Sequence, residues 1–314
     1  MVECVICKKS FGLDKELHMH LRSHSIRMAE YYQKFFPRKD LHNGEIIKFK
    51  NKEYYFSRDF NSKTNLKSWL KNQSEEKKKE YCSNLMKKRI EEKKILHSPT
   101  QVELRTIMSP PVQYYNDLFG SYNDFCTSLG LRQRFSVYPT GDKSSFLPKR
   151  IKDKQIRIAV DTREQKPLKF SLPTQVKKLD YGDYCLDDAE LSCNCYIERK
   201  SIKDLIGTMS GGLERFQREI ERATEDEAYI VVVVERPLSE CLHFDMLPYV
   251  PKKIKASPDF IFKNIRDLTQ SYSEVQFLFV KGREELERVS VKILVCGGLC
   301  RDVDLQLAYD LKIL

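Results

Sequence analysis

The residues best suited to chemistry in this 314-residue chain lie in three short stretches. They are Val160-Asp161-Thr162-Arg163-Glu164, Gly182-Asp183-Tyr184, and Glu198-Arg199-Lys200 with Asp204 behind it. Gathered carboxylates repel one another, and burying them is costly unless a cation neutralises them. Hard divalent ions such as Mg²⁺ or Mn²⁺ take oxygen ligands, usually one or two carboxylates plus substrate phosphates. A lysine beside such a cluster can stabilise charge developing on a phosphate. Together these residue types are what metal-assisted phosphodiester hydrolysis requires.

Such a cluster needs strands to hold it. The β-type runs 157–160, 178–181 and 195–198 read as three short adjoining strands. Side chains alternate faces along a strand, so Glu198 and Lys200 share a face and Arg199 points the other way. Farther along, 215–223 reads as a helix, 229–234 as a buried strand, 258–271 as a helix, 275–280 as a strand and 283–294 as a helix. Alternating strands and helices predict an α/β domain with a mixed sheet flanked by helices. Gly211-Gly212 reads as a mobile loop beside the site.

This part of the chain resembles the XPF-type structure-specific nuclease domain, a PD-(D/E)XK nuclease. The likeness rests on G-D-x(n)-E-R-K-x3-D, matched by Gly182, Asp183, Glu198, Arg199, Lys200 and Asp204, and on the upstream V-D-x-R-E at Val160, Asp161, Arg163 and Glu164. It implies catalytic roles for Asp161, Glu164, Asp183, Glu198 and Lys200, with Mg²⁺ (or Mn²⁺) on Asp183, Glu198 and Asp161. Arg163, Arg199 and Asp204 would support them. The resemblance also implies a homodimer through the nuclease domain. One departure stands out: the tandem helix-hairpin-helix module usual after such a nuclease has no room in Cys296 to Leu314.

At the other end, Cys4, Cys7, His20 and His24 follow the spacing Cys-x2-Cys-x12-His-x3-His. Phe11 and Leu17 stand where a ββα unit puts its core. Two thiols and two imidazoles suit tetrahedral Zn²⁺. The segment resembles a Cys2His2 zinc finger, and metal binding would supply on the order of 10 kcal/mol of its folding energy. Its helix offers Asp14, Lys15, Glu16 and Met19 outward. Such a helix reads about three base pairs in the major groove; binding a protein is the alternative use of a lone finger.

Charge is uneven. Residues 1–150 hold 29 Lys+Arg against 17 Asp+Glu, or +12, and the rest hold 26 against 28, or −2, which sums to the +10 of the whole chain. A basic half joined to an acidic catalytic half suits a phosphate-polymer substrate. Neither a signal peptide nor an apolar run of membrane-spanning length is evident, which predicts an intracellular protein of cytoplasm or nucleus and no membrane partner. The pairs Cys193/Cys195 and Cys296/Cys300 do not follow a zinc spacing.

The middle of the chain is modular. In residues 28–72 aromatics alternate with bases, which suits either a packed core or base stacking with phosphate contact. We expect a hairpin around Asn51-Lys52, then a helix at 63–71. Residues 74–95 read as a solvated, charged connector helix. Residues 98–135 predict three short helices. Phe119-Gly120-Ser121-Tyr122, Phe125 and Leu129-Gly130-Leu131 resemble the helical repeat of homing and mobile-element endonucleases, with Tyr122 where Trp is usual. Residues 136–153 have linker composition.

The expected organisation is a zinc finger at 1–26, a basic hairpin/helix module and connector at 27–95, and a three-helix DNA-binding repeat at 96–135. A linker at 136–153 and the α/β nuclease domain at 154–314 complete it. The expected function is a metal-dependent endonuclease on duplex DNA, site-specific and of homing or mobile-element type. A repair nuclease on flaps or branched DNA and a non-catalytic DNA-binding regulator are the alternatives.

Overall fold

The computed structural model describes residues 2–37, 46–51, 55, 63–107, 109–135, 156–188, 194–247, 250, 254–296 and 298–314. The expected linker at 136–153 lies outside them. By their contacts the described residues form two compact units: 1–94 with 108–121, and 95–107 with 122–314.

The first unit opens with two short antiparallel strands, β1 (Val2–Glu3) and β2 (Ser10–Phe11). The helix Asp14–His20 follows and tightens into a 3₁₀ turn, Leu21–His24. This ββα unit does not close a core of its own. Cys4, Leu17 and Leu21 are buried in one cluster with Tyr31, Tyr32, Ile47 and Tyr55, and Phe11, Phe35 and Phe49 pack against it. Tyr31 comes from the helix Met28–Phe35, and its hydroxyl accepts the Val5 N–H at 2.9 Å. His18 Nε2 lies 3.0 Å from the Tyr32 hydroxyl. The aromatics Tyr31, Tyr32 and Tyr55 are thus core residues, not a stacking platform.

Two expectations in this unit change. The residues 46–50 form no strand beyond a single bridging residue at Ile46. Tyr55 instead sits in a helical turn, donating its N–H to the Asn51 carbonyl at 3.0 Å; the rest of the expected hairpin lies outside the described residues. The connector is a 19-residue helix, Glu75–Lys93, capped by the Ser74 side chain on the Lys77 N–H, and it is not solvated all round. Tyr81, Leu85 and Arg89 recur every four residues, with Cys82 and Met86 beside them, and all five are buried. Exposed Lys79–Glu75 and Lys88–Glu92 pairs line its polar side.

The second unit is built on a six-stranded mixed sheet. Its strands are β3 (Ile158–Asp161), β4 (Thr174–Lys177), β5 (Tyr184–Leu186), β6 (Cys195–Lys200), β7 (Tyr229–Val234) and β8 (Val275–Phe279). The order across the sheet is β4-β3-β5-β6-β7-β8. β5 runs antiparallel to both neighbours; the pairs β3/β4, β6/β7 and β7/β8 are parallel. Strands β3, β5, β7 and β8 are buried along their whole length, as expected where helices cover both faces. One face packs Ile230, Val232 and Val234 against the helices Ile202–Thr208, Leu213–Glu225 and Pro258–Ser271. The other packs Tyr229, Val231 and Val233 against the helix Arg283–Val295 and the chain end.

The residues 178–181 are not a strand. The β-run falls four residues earlier, at Thr174–Lys177, where parallel pairing to β3 is available at the sheet edge. The helix Ile202–Thr208 was also not anticipated; Ser201 caps it by accepting the Asp204 N–H.

The three helices expected in 98–135 form as Gln101–Thr106, Val112–Phe119 and Tyr122–Ser128. Contacts divide them rather than group them: the first and third belong to the unit of the large sheet, the second to the other. The physical reason is burial. Val102 joins the core of the sheet's helix-covered face. Gln101 donates its backbone N–H to Asp304 at 2.6 Å and its amide to Asp310 at 2.8 Å, while Gln270 donates to Glu103 at 2.7 Å. Arg134 donates to the Tyr272 carbonyl at 3.0 Å and to the Thr269 carbonyl. The core of the sheet-bearing unit therefore includes residues upstream of the expected linker.

Candidate active site

Register places the chemistry. Glu198 lies opposite Val232 and Lys200 opposite Val234, so both face the side covered by the helices Ile202–Thr208 and Leu213–Glu225. Arg199 lies opposite Val233 and faces the other side. The alternation expected from sequence is the arrangement observed.

Asp183 joins this face from the turn before β5. Gly182 makes that turn possible: its φ of +58° is left-handed, and a Cβ there would stand 2.8 Å from the Ile197 carbonyl oxygen. With no side chain in the way, Asp183 donates its N–H to that oxygen at 2.8 Å. Its own carbonyl accepts the Asp161 N–H at 2.9 Å, and its Oδ2 accepts the Arg199 N–H at 2.7 Å. Three strands thereby hold one carboxylate. We expect Gly182→Ala to lower the melting temperature, because an αL alanine costs about 1–2 kcal/mol before the carbonyl clash is added. Unchanged melting would refute this account of the turn.

Lys200 Nζ donates to Glu198 Oε1 at 2.5 Å and lies 5.7 Å from the centre of the Phe216 ring. Burial pushes the Glu198 carboxyl up, and Lys200 only partly offsets it. Burial and the neighbouring Glu198 charge push Asp183 up to about 7. Among the described contacts, each carboxylate keeps one oxygen that no protein donor takes. Two half-buried carboxylates with raised pKa values, each with an open oxygen, fit a hard divalent cation completed by water or phosphate oxygens.

Asp161 and Glu164 are differently engaged. Asp161 is buried; its Oδ1 accepts the Arg163 N–H at 2.8 Å and the Arg163 Nε at 2.6 Å, and its Oδ2 accepts the Leu179 N–H at 2.7 Å. Burial works against its ionisation, but Arg163 and the Leu179 amide outweigh it and hold it below the ordinary carboxylate value. Glu164 stands on the far side, receiving Arg199 Nε at 3.1 Å and Nη2 at 3.2 Å. Here too burial is outweighed, by the guanidinium, and the pKa falls. Neither joins Asp183 and Glu198 in a converging ligand set. Asp204 is exposed and accepts the Ser201 hydroxyl at 2.6 Å, at the start of its helix.

The sequence reading missed Glu235 and Arg283. Arg199 Nη1 donates to Glu235 at 3.0 Å, and Arg283 donates to the same oxygen at 3.1 Å. Arg283 also reaches the Pro167 carbonyl at 2.8 Å. This chain of charges pins the end of β6 from behind, so that the Arg199 N–H meets Asp183 in front. The available signal was an acid directly after the apolar run of β7. The expected mobile loop at Gly211-Gly212 is a tight turn, with the Gly212 N–H bonded to the Gly207 carbonyl at 3.0 Å.

In the other unit, the ligand atoms of Cys4, Cys7, His20 and His24 all lie within 4.8 Å of one another. Among the described residues this is the one group of three or more His, Cys, Asp or Glu side chains that converges as a metal site would need. Cys7 Sγ lies 3.1 Å from His20 Nε2, and Cys4 Sγ 3.5 Å from His24 Nε2. Burial opposes the Cys4 thiolate, but the N–H groups of Cys7 and Ile6 lower its pKa overall. Desolvation and the His24 charge hold His20 low and so favour the neutral, ligating imidazole. Cys195 and Cys300 bring their sulfurs within 3.5 Å in the sheet's core without joining such a set.

The mixed α/β sheet thus presents a carboxylate pair and a lysine beside parallel strands. Residues 160–292 match the family model of the ERCC4 domain, and the match includes Asp161, Asp183, Glu198, Lys200, Glu235 and Arg283. Among solved structures, XPF from Aeropyrum pernix in complex with DNA aligns at 21% identity over 43% of this chain and 65% of that one, with a TM-score of 0.32. XPF from Aeropyrum pernix aligns at 18% identity over 50% of this chain and 68% of that one, with a TM-score of 0.34. The chain thus spans about two thirds of the length of each. No curated protein matches it. No helix among the described residues is long and apolar enough to cross a membrane.

Proposed function

We propose that this protein is a divalent-metal-dependent DNA endonuclease. The observation that carries the reading is the Asp183–Glu198 pair, desolvated and open on one oxygen each, with Lys200 beside it, inside a segment that matches the ERCC4 domain. Asp183 and Glu198 would hold Mg²⁺ or Mn²⁺, which supplies a Lewis acid and a water activated near neutral pH. Asp183 is oriented by the Arg199 amide, and Lys200 offers its ammonium to charge developing on the scissile phosphate. Asp161 and Arg163 brace the strand end from which Asp183 is held, and Glu164, Glu235 and Arg283 brace Arg199.

The four-ligand group at the N-terminus would hold Zn²⁺, and its unit would bind duplex DNA and confer site preference. Lys15 and Met19 are exposed on the finger's helix, as base reading requires. A second reading, cleavage of flaps or branched DNA, is favoured by the ERCC4 match, and a homodimer through the nuclease domain goes with it. The deciding experiment is selection of cleaved molecules from a randomised linear duplex library, run beside flaps of unrelated sequence. Enriched sequence motifs support site recognition; cleavage that follows the flap whatever its sequence supports the second reading. No cutting of either with Mg²⁺ or Mn²⁺ refutes the enzyme.

Lys200→Met should lower turnover by about 10²-fold or more, the usual loss for one electrostatic group at the transition state. The affinity for Mn²⁺ should change little. An unaltered rate would remove the lysine from the mechanism.

A further inference from the structure

The helix Leu213–Glu225 covers the site and carries seven charged residues, sorted by face. At 3.6 residues per turn, Arg215, Arg218 and Arg222 fall within a sector of about 60°. Glu214, Glu221 and Glu225 occupy the adjoining sector. The two edges of the helix are fixed by contacts. Phe216 lies beneath the Lys200 ammonium, and the Glu219 charge acts on both Glu198 and Arg163, so that edge faces the active site. On the opposite edge Glu221 accepts the Tyr272 hydroxyl at 2.7 Å and the Gln217 amide at 3.1 Å, locked towards the helix Pro258–Ser271. The arginines lie between, on the outward side that slopes to the site.

All three arginines are exposed, and among the described residues none of their guanidinium groups makes a hydrogen bond or ion pair. Acidic residues stand at i,i+4 spacing from all three, Glu214 with Arg218, Arg215 with Glu219 and Arg222 with Asp226, the spacing that favours pairing. The same spacing is used elsewhere in this unit, in Lys263–Asp267 at 2.8 Å, Arg236–Glu240 at 3.7 Å and Arg283–Glu287 at 3.8 Å. This helix leaves its guanidinium groups free beside a carboxylate-rich site that would otherwise repel a phosphate chain. The Arg222 charge acts on the Tyr181 hydroxyl, which donates to Asp226 Oδ2 at the C-terminal end of the same helix.

We infer that Arg215, Arg218 and Arg222 form a track for the phosphate backbone of the DNA strand that is cut. The inference rests on the nuclease reading and specifies how that site takes its substrate. From first to last the row spans about 10 Å of helix, enough for about two or three phosphates. Guanidinium groups suit phosphate oxygens because they donate in pairs. The track acts on binding and positioning and does not touch the reacting atoms.

The test uses the full chain carrying Arg215→Gln, Arg218→Gln and Arg222→Gln, with the corresponding triple lysine variant and Lys263→Gln as controls. DNA affinity is measured across a salt series in a Glu198→Ala background, and cleavage in the otherwise unaltered protein. The glutamine variant should reduce the slope of log affinity against log salt by about two to three, and raise KM with kcat retained. The lysine variant should restore most of the slope, and Lys263→Gln should leave it as in wild type. A wild-type slope and KM in the glutamine variant, with the wild-type protein cleaving DNA, would overturn the track and leave the nuclease standing. Failure of the wild-type protein to cleave would overturn both.

Discussion

Asp183→Asn and Glu198→Gln should each abolish DNA cleavage while leaving DNA binding near wild type. Both substitutions keep size and shape and remove one anionic oxygen donor. Loss of a metal ligand forfeits several kcal/mol of transition-state stabilisation, hence about 10³-fold or more in turnover. The basic N-terminal half, at +12, remains to bind phosphate. Stability separates this from misfolding. Asp183 is pushed up to about 7 in the fold by burial and Glu198, so its ionised form disfavours folding at neutral pH. Stability from such a group is full below the unfolded carboxylate pKa and declines as pH rises towards 7. Asp183→Asn removes that cost, and in metal-free buffer at pH 8 it should melt no lower than wild type. Single-turnover cleavage and thermal melting are the two measurements. Near-wild-type turnover in either variant would refute the assigned site, and a large fall in melting temperature would make Asp183 a structural residue instead.

Stripping zinc, or substituting Cys7→Ala, should unfold more than the finger. Metal binding contributes on the order of 10 kcal/mol to a unit of this kind. Here its strands and helix share one core with Tyr31, Tyr32, Ile47 and Tyr55, and the Val5 N–H between the two cysteines is bonded to the Tyr31 hydroxyl. Amide exchange should therefore speed up across the helix Met28–Phe35 as well as residues 2–26, while the strands β3 to β8 keep their protection. Cleavage chemistry should persist with a raised KM. Fast exchange that stops at residue 26 would show the finger to be an independent module, and wild-type protection throughout would show that no structural metal is bound there.

Much of the half that carries the large sheet was legible from residues alone. The apolar runs of β3, β6, β7 and β8 and the helix Pro258–Ser271 stand near their expected limits, because long uniform or periodic patterns state their own burial. The shared face of Glu198 and Lys200 followed from the two-residue period of a strand. The spacing of Cys4, Cys7, His20 and His24 likewise sufficed to bring four ligand atoms together, since a turn and a helix fix those distances locally. What the sequence could not decide were relations between distant segments. Asp161, Asp183 and Glu164 look alike in a motif. Only the sheet reveals that Leu179 and Arg163 occupy the first, that Arg199 takes the third to the opposite face, and that Asp183 keeps an open oxygen. The edge strand β4 has no inward face to mark it, as all four of its residues are exposed. Glu235 meets Arg199 from 36 positions away at the end of the neighbouring strand, and Arg283 meets Glu235 from a further 48, from the far-face helix. Nor could composition show that the ββα unit lacks a private core, or that Val102 and Gln101 pack with a unit whose sheet begins at Ile158. Local pattern determines which residues are buried and in which period. Which buried surfaces meet, and so which carboxylates stay free for chemistry, is settled only when the chain closes on itself.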